Sequence, residues 1–337
     1  MAFTTGKKSR LYLRKEAAWG TDPAGTYYDV GFVNESVHAE PEYIRSNTIA
    51  NSVARAALYQ GSKKTVGQIG FEAWYTNMDF YLGALFGDPA QSTVDTVGRS
   101  KIYTPTTSPY SLHMKFNRGN IPSAKVYRYP GQYGVALELS WTGSGIPTGT
   151  FEVTGPSEAS ASGGDTEPSS PTVVSTTPIL THLHGLNIDV GAGANNVYCV
   201  RSGKIRLQRS WNADIFCVGT SGTARQPVEN DFMSVTGELE IMYEDRVLYE
   251  LFLAGTDQTD IRIDFQGDLI PGGTTVKYEC DIRVNRAKYL APSVPQISGP
   301  AEVTFRAPFE AFGNAGSGNT TEPATVTYVN AYDKSTF

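Results

Sequence analysis

The sequence predicts a mostly β protein made of two similar domains in tandem, and three observations carry that reading. The first is an internal duplication. Gly67-Gln-Ile-Gly-Phe-Glu-Ala, running through Trp74 to Phe86-Gly87, and Gly237-Glu-Leu-Glu-Ile-Met-Tyr, running through Glu244 to Ala254-Gly255, share one plan of strand, turn, short apolar helix and closing glycine. The strand glycines lie 237 − 67 = 170 positions apart and the closing glycines 255 − 87 = 168, about half of the 337 residues, which points to two domains and not to a solenoid. The second is composition: 34 Gly, 19 Pro and 19 Tyr with only 18% charged residues suit short strands joined by turns better than helical bundles. The third is a change at 155–178, where Ser, Thr, Gly, Glu and Pro dominate and little can be buried. That segment is expected to be a flexible linker or loop between a first domain at 1–154 and a second at 179–337.

The elements follow in order. Ser9 to Glu16 alternates Leu11 and Leu13 with polar neighbours and is broken at Trp19-Gly-Thr-Asp-Pro23, a strand and a turn. Gly31 to Val37 begins another strand. Pro41 to Leu58 carries Ile44, Ile49, Val53 and Leu58 at a spacing neither extended nor helical, a long excursion. Gln68 to Ala73 alternates cleanly, with Ile69, Phe71 and Ala73 on one face and Gln68, Gly70 and Glu72 on the other, so one face is core and the other meets water or a channel. The helix after it has Thr76 or Asn77 as cap, Asp79 in the first turn, and Gly87 and Pro89 beyond its end. Its apolar residues cover most of the circumference, so it must be buried on several sides. The second copy repeats this with Asp245 near the start and Gly255 at the end.

Further strands are expected at Ala124–Tyr129 and Tyr133–Leu139, separated by Pro130-Gly131. The second half adds strands near 186–190, 204–208, 234–243, 261–265, 276–284 and 302–307, and Gly313 to Thr325 reads as another polar, flexible stretch.

Charge and motifs narrow the function. A net charge of −6 argues against a general nucleic-acid-gripping surface, which needs clustered Lys and Arg. Trp74-Tyr75 and Tyr127-Arg-Tyr129 could stack bases, but no basic groove accompanies them. Cys199, Cys217 and Cys280 form no Cys-x-x-Cys pair and read as reduced, partly buried small hydrophobes. Leu11-Tyr-Leu13 is too short for a signal-peptide core, and no stretch reaches the ~20 apolar residues of a membrane span, so synthesis in the cytoplasm is expected. His182 and His184 would share a strand face but have no third ligand nearby, and Gly191-Ala-Gly-Ala-Asn-Asn196 lacks the third glycine of a phosphate loop and reads as a turn. No hydrolase, Walker or zinc-protease motif is present; neither catalysis nor a cofactor or metal is expected. Glu72, Glu238 and Glu240 stand on the polar sides of the two repeat strands. They are either a solvated sheet face or the lining of a passage for a polyanion, where like charge keeps the cargo from sticking.

Glu42-Tyr-Ile-Arg-Ser-Asn-Thr-Ile49, then Val66-Gly-Gln-Ile-Gly-Phe-Glu72 with the helix closing on Leu85-Phe-Gly87, and the late segment Val294-Pro-Gln-Ile-Ser-Gly-Pro-Ala-Glu-Val-Thr-Phe-Arg-Ala307 resemble the tail tube proteins of long-tailed bacteriophages. The resemblance spans most of the chain through diffuse patterns. It implies two β-sandwich or barrel domains with flanking helices, in rings that stack into a hollow tube and conduct the genome into the host. Six copies of the fold per ring would need three chains of two copies each, 3 × 2 = 6, with six chains as the alternative. Glu72, Glu238 and Glu240 would then face the lumen, and the bore would alternate in charge between Gln68/Gly70 and Glu238/Glu240. Tyr43, Ile44, Arg45, Ile49, Val53 and Arg55 would contact the next ring. The implied partners are other copies of the chain, the tape-measure protein and viral DNA inside the tube, and tail terminator and distal tail proteins at its ends. Rival readings are a carbohydrate-binding or adhesin-like β protein, a tail-terminator or capsid-associated protein, and a hydrolase, for which no convergent acid pair is visible.

Overall fold

A computed structural model describes residues 6–47, 57–106, 108–119, 126–156, 158–159, 166–174, 177–181, 186–190, 198–219, 222–297, 302–316 and 319–333. His182, His184 and the Gly191–Asn196 turn lie outside these residues. The first half of the chain runs β1 (Arg10–Lys15), β2 (Tyr28–Val30), β3 (Asn34–Glu35), β4 (His38–Arg45), β5 (Leu58–Glu72), α1 (Met78–Phe86), β6 (Ala90–Thr93), β7 (Arg99–Tyr103), β8 (Leu112–Asn117), β9 (Tyr127–Thr142) and β10 (Thr148–Gly155), followed by β11 (Thr172–Val173). The second runs β12 (Leu186–Val190), β13 (Val200–Gln208), β14 (Trp211–Asn212), β15 (Val228–Glu229), β16 (Ser234–Met242), α2 (Val247–Ala254), β17 (Gln258–Leu269), β18 (Lys277–Tyr289), β19 (Pro295–Gln296), β20 (Thr304–Ala311), β21 (Asn314–Gly316), β22 (Asn319–Thr321) and β23 (Ala324–Asn330). The described residues are mostly β with two α-helices, in line with the composition.

One long antiparallel layer crosses both halves in the order β3 with β4, β5, β10, β9, β13, β16, β20, with β19 beyond β20. The joint between the halves is the β9–β13 pair. A second layer has two parts: β11, β2, β1, β8 and the start of β9 on one side, and β12, β17, β18, β23, β7 and β6 on the other. Buried apolar residues from both halves form one contiguous cluster. It includes Ile69 and Phe71 of β5, Leu137, Leu139 and Trp141 of β9, Ile205 and Leu207 of β13, and Leu239 and Ile241 of β16, all odd-numbered residues projecting from one side of the long layer.

Two strands expected at 124–129 and 133–139 are one. β9 passes through Pro130 and Gly131, with φ of 67° at the glycine, because Pro130 lies where β9 changes partner from β8 to β10 and a missing N–H costs little. The stretch expected to be flexible after Gly313 carries the β21–β22 hairpin and leads into β23, a central strand whose Val326 and Tyr328 are fully buried. In the 155–178 segment, β11 runs parallel to β2 and Val174 is buried. Cys199 and Cys217 are exposed and Cys280 is buried.

α1 is buried along its whole length. Its acid does more than face the helix dipole: Asp79 accepts hydrogen bonds from Tyr103 Oη (2.6 Å), Lys101 Nζ (2.7 Å) and Asn330 Nδ2 (2.7 Å), pinning the helix to β7 and β23. Asn77 precedes the helix without capping it; its side chain accepts from the Trp74 N–H and donates to the Glu72 carbonyl, closing the turn after β5. α2 follows the expected punctuation, with the Val247 N–H donating to Asp245 Oδ1 (2.9 Å) and Gly255 left-handed at φ 61°.

Candidate functional site

The opposite side of the long layer is polar, and cross-strand registers assemble it row by row. Glu72 pairs with Thr148, Thr148 with Ser140, Ser140 with Lys204, and Lys204 with Glu238. The adjacent rows bring Gly70, Thr150, Glu138, Arg206 and Thr236 together, and Thr142, Ser202, Glu240 and Arg306. Every one of these residues is even-numbered, because antiparallel pairs keep side chains of opposed residues on one face. The expected residues Glu72, Glu238 and Glu240 therefore do share one surface. Glu72 and Glu238 lie on the same row, four strands apart.

That surface is not purely acidic. Lys204 Nζ lies 3.4 Å from Glu238, and Arg306 also pairs with Glu238. Arg206 reaches Glu152 at 2.9 Å through both terminal nitrogens and Glu138 at 3.6 Å; hydrogen bonding to Glu152 is the main reason its guanidinium is held above the usual range. Glu240 accepts from Ser202 Oγ at 2.7 Å. Across β5 from Val66, β9 from Ala136, and β10, β13, β16 and β20, the even positions carry six carboxylates, Glu72, Glu138, Glu152, Glu238, Glu240 and Glu310, against three cations, Lys204, Arg206 and Arg306. On these segments all three cations belong to the second half and the acid excess lies on the first. The parity of Lys204 and Arg206 within β13 was the available signal for these cations. It becomes usable only once the β9–β13 pair fixes which face β13 shares with β16.

The other expected contact region is an arm. β4 pairs with the first half of β5, and its end presents Tyr43 (56% exposed) and Ile44 (58%) beside exposed Arg45, Leu58 and Tyr59. Ile49, Val53 and Arg55 lie outside the described residues. Exposed aromatic and aliphatic residues clustered where β4 ends and β5 begins make a sticky surface in a free chain.

A long two-faced β layer, one face core and one face mixed-charge, with exposed apolar residues at the paired ends of β4 and β5, is scaffold geometry, and its described residues present no convergent catalytic group. The sequence matches the family described as phage tail tube protein over residues 6–311. The chain belongs to that family. No curated protein matches it. The tail tube protein is thus a structural component of the virion, in a family that assembles into a tube and is not an enzyme class. Among the described residues of this tube protein no helix is long and apolar enough to cross a membrane.

Proposed function

We propose that three copies of this chain close into a ring of pseudo-sixfold symmetry, that the even-numbered face of the long layer lines its bore, and that stacked rings conduct viral DNA. Glu72, Glu238 and Glu240 face the lumen on this reading, and the β4–β5 arm from Tyr43 to Arg55 contacts the next ring. The tape-measure protein and DNA occupy the lumen, and terminator and distal tail proteins meet the ends. The chain is made in the host cytoplasm before assembly.

The observation that carries this is the stagger between the two repeats. Gly67 pairs with Val153 in the first half and its counterpart Gly237 with Phe309 in the second, so Gln68 and Glu238 are equivalent positions. Yet the row that reaches Glu238 starts at Glu72 and not at Gln68. Over four strands the layer slips by four residues. At about 3.3 Å rise per residue and about 4.8 Å between strands, equivalent sites stay at one height around an axis only if the strands tilt by about 35°. Closed barrels tilt their strands by about 35–45°, so the slip supports propagation into a closed ring. Eight lining strands per chain, counting β3 with β4 and β18 with β19 as one each, would give 3 × 8 = 24.

The cations give the electrostatic argument a sharper form. Lys204, Arg206 and Arg306 are tied to carboxylates on the same face, leaving an excess of three acids on these segments, which repels a polyanion without a uniformly acidic wall. Replacing Glu72, Glu238 and Glu240 with Lys should leave tubes in negative stain but slow DNA ejection. End-on views should show threefold order; a sixfold ring of six chains, or acids on the outer wall, would overturn the reading.

A further inference from the structure

The joint inside the chain is a template for the joint between chains. Extending the repeat equivalence strand by strand, β3 with the start of β4 stands where β13 stands: Asn34 and Ser36 face Gly70 and Gln68 across the sheet as Ser202 and Lys204 face Glu240 and Glu238. At the other end, β19 stands where the end of β9 stands, since Pro295 opposes Phe305 as Leu139 opposes Gly149. Inside the chain β13 and β9 are joined, with Ile205 opposite Leu139, Lys204 opposite Ser140 and Gly203 opposite Trp141. Among the described residues, β3 and β4 pair only with β5, and β19 only with β20.

Resting on the ring reading above, we infer that the free edge of β3 in one chain pairs antiparallel with β19 of the next in the register of the internal joint, setting Ser36 opposite Gln296, Glu35 opposite Ile297 and Val37 opposite Pro295. Three observations fit a second copy as the occupant. Ile297 is 78% exposed, whereas its counterpart Trp141 is 3% exposed under cover of β13. The backbone of Val37 is already used, its N–H by Glu35 and its carbonyl by Arg118 and Tyr129 Oη, and it would meet Pro295, which has no N–H to give. Finally, residues just past β13 reach α1 and β9: Arg209 donates to the Leu85 carbonyl of α1 and Trp211 Nε1 to the Gly134 carbonyl of β9. α2 has Leu248 as its only buried residue and leaves Leu253 exposed; the neighbour's β4 arm, which follows β3 as Arg209 follows β13, would stand beside it.

Ser36 bonds towards β5 through its N–H to Gln68, so across the new joint it is a non-hydrogen-bonded site, where opposed Cβ atoms come close enough for a disulfide. In a chain with Cys199 and Cys217 replaced by Ser, Ser36→Cys with Gln296→Cys should yield covalent oligomers when assembled tubes are oxidised, ending at three chains on a non-reducing gel. Ser36→Cys with Ile297→Cys, on opposite faces, should yield none. Tubes visible in negative stain without the Ser36–Gln296 crosslink overturn the joint while leaving the ring reading intact; equal crosslinking of both pairs overturns the register. A ladder ending at six supports the joint and overturns the threefold ring. Parent chain that never forms rings overturns the reading beneath it. As a second variant, Ile297→Asp should keep the parent's circular dichroism yet abolish tube formation, and normal tubes would count against the joint.

Discussion

Asp79 and Lys101 form a fully buried ion pair at the heart of the first repeat, and removing one member should be far more damaging than removing both. Asp79→Ala leaves the Lys101 ammonium with Asn330 Oδ1 at 2.9 Å and deprives Tyr103 Oη of its acceptor. Stripping one partner from a buried pair costs about 3–5 kcal/mol, a large part of the about 5–15 kcal/mol that holds a typical domain together. Burial already lowers the Lys101 pKa, and the Asp79 charge partly opposes that fall. Without Asp79 the folded value drops further below 10.5, so the unfolded state holds more protons and stability rises with pH up to the unfolded pKa. The deficit of Asp79→Ala should therefore shrink between pH 7 and pH 9. In Asp79→Leu with Lys101→Met, Asn330 keeps the Tyr75 carbonyl and the Tyr332 N–H, leaving Tyr103 Oη as the main loss, about 1–3 kcal/mol. Urea unfolding of the unassembled chain, with equal slopes, gives all three values and the coupling energy. A loss below about 1 kcal/mol for Asp79→Ala at pH 7, or a double variant as costly as the two single changes added together, would refute the reasoning.

Three more outcomes follow from particular contacts. Gly237→Ala places a Cβ 2.2 Å from Phe309 Cζ and should cost about 1–3 kcal/mol in urea unfolding, because the ring is packed in the core and has to shift. Arg206→Ala breaks ion pairs with Glu152 and Glu138 that are only half-shielded, so the loss should stay under about 1 kcal/mol and vanish in 1 M salt. Asp95, held down to about 2 mainly by the Thr274 N–H, contributes stability that is complete above its unfolded value of about 3.8 and is lost as pH falls through 2; Asp95→Asn should flatten the stability–pH curve in that window.

What was legible in the sequence was local. Alternation in Gln68–Ala73 and the glycines closing both helices name β5, β16, α1 and α2, and parity alone puts Glu72 on the polar side. What was not legible depends on pairing at a distance. β23 looked like a polar tail because Gly313–Thr325 dominates its neighbourhood, although Val326 and Tyr328 alternate as a strand should; its place between β18 and β7 comes from segments more than 40 and more than 200 positions away. The burial of Asp79 was equally hidden, since its partners come from β7 and β23 and a first-turn acid looks the same whether it meets solvent or a buried lysine.

The two repeats differ where the ring reading needs them to differ. At the internal joint, β13 brings Lys204 and Arg206 against Glu138 and Glu152 of the first half. The strand at the free edge has Ser36 and His38 in those two places. Were a neighbour's β3 to displace β13 from β9, Glu138 and Glu152 would lose their guanidinium, and Arg206 would be left half-buried beside an edge that has Val294 and Pro308 in the places of Glu138 and Glu152. Correct pairing keeps Arg206 matched with Glu138 and Glu152, and exchange leaves charges of both signs unmatched, which is how charge selects one partner over a similar one. On the ring reading the two halves of the chain are thus kept in phase by the cations of the second, and those cations also temper the acidity of the surface on which they sit.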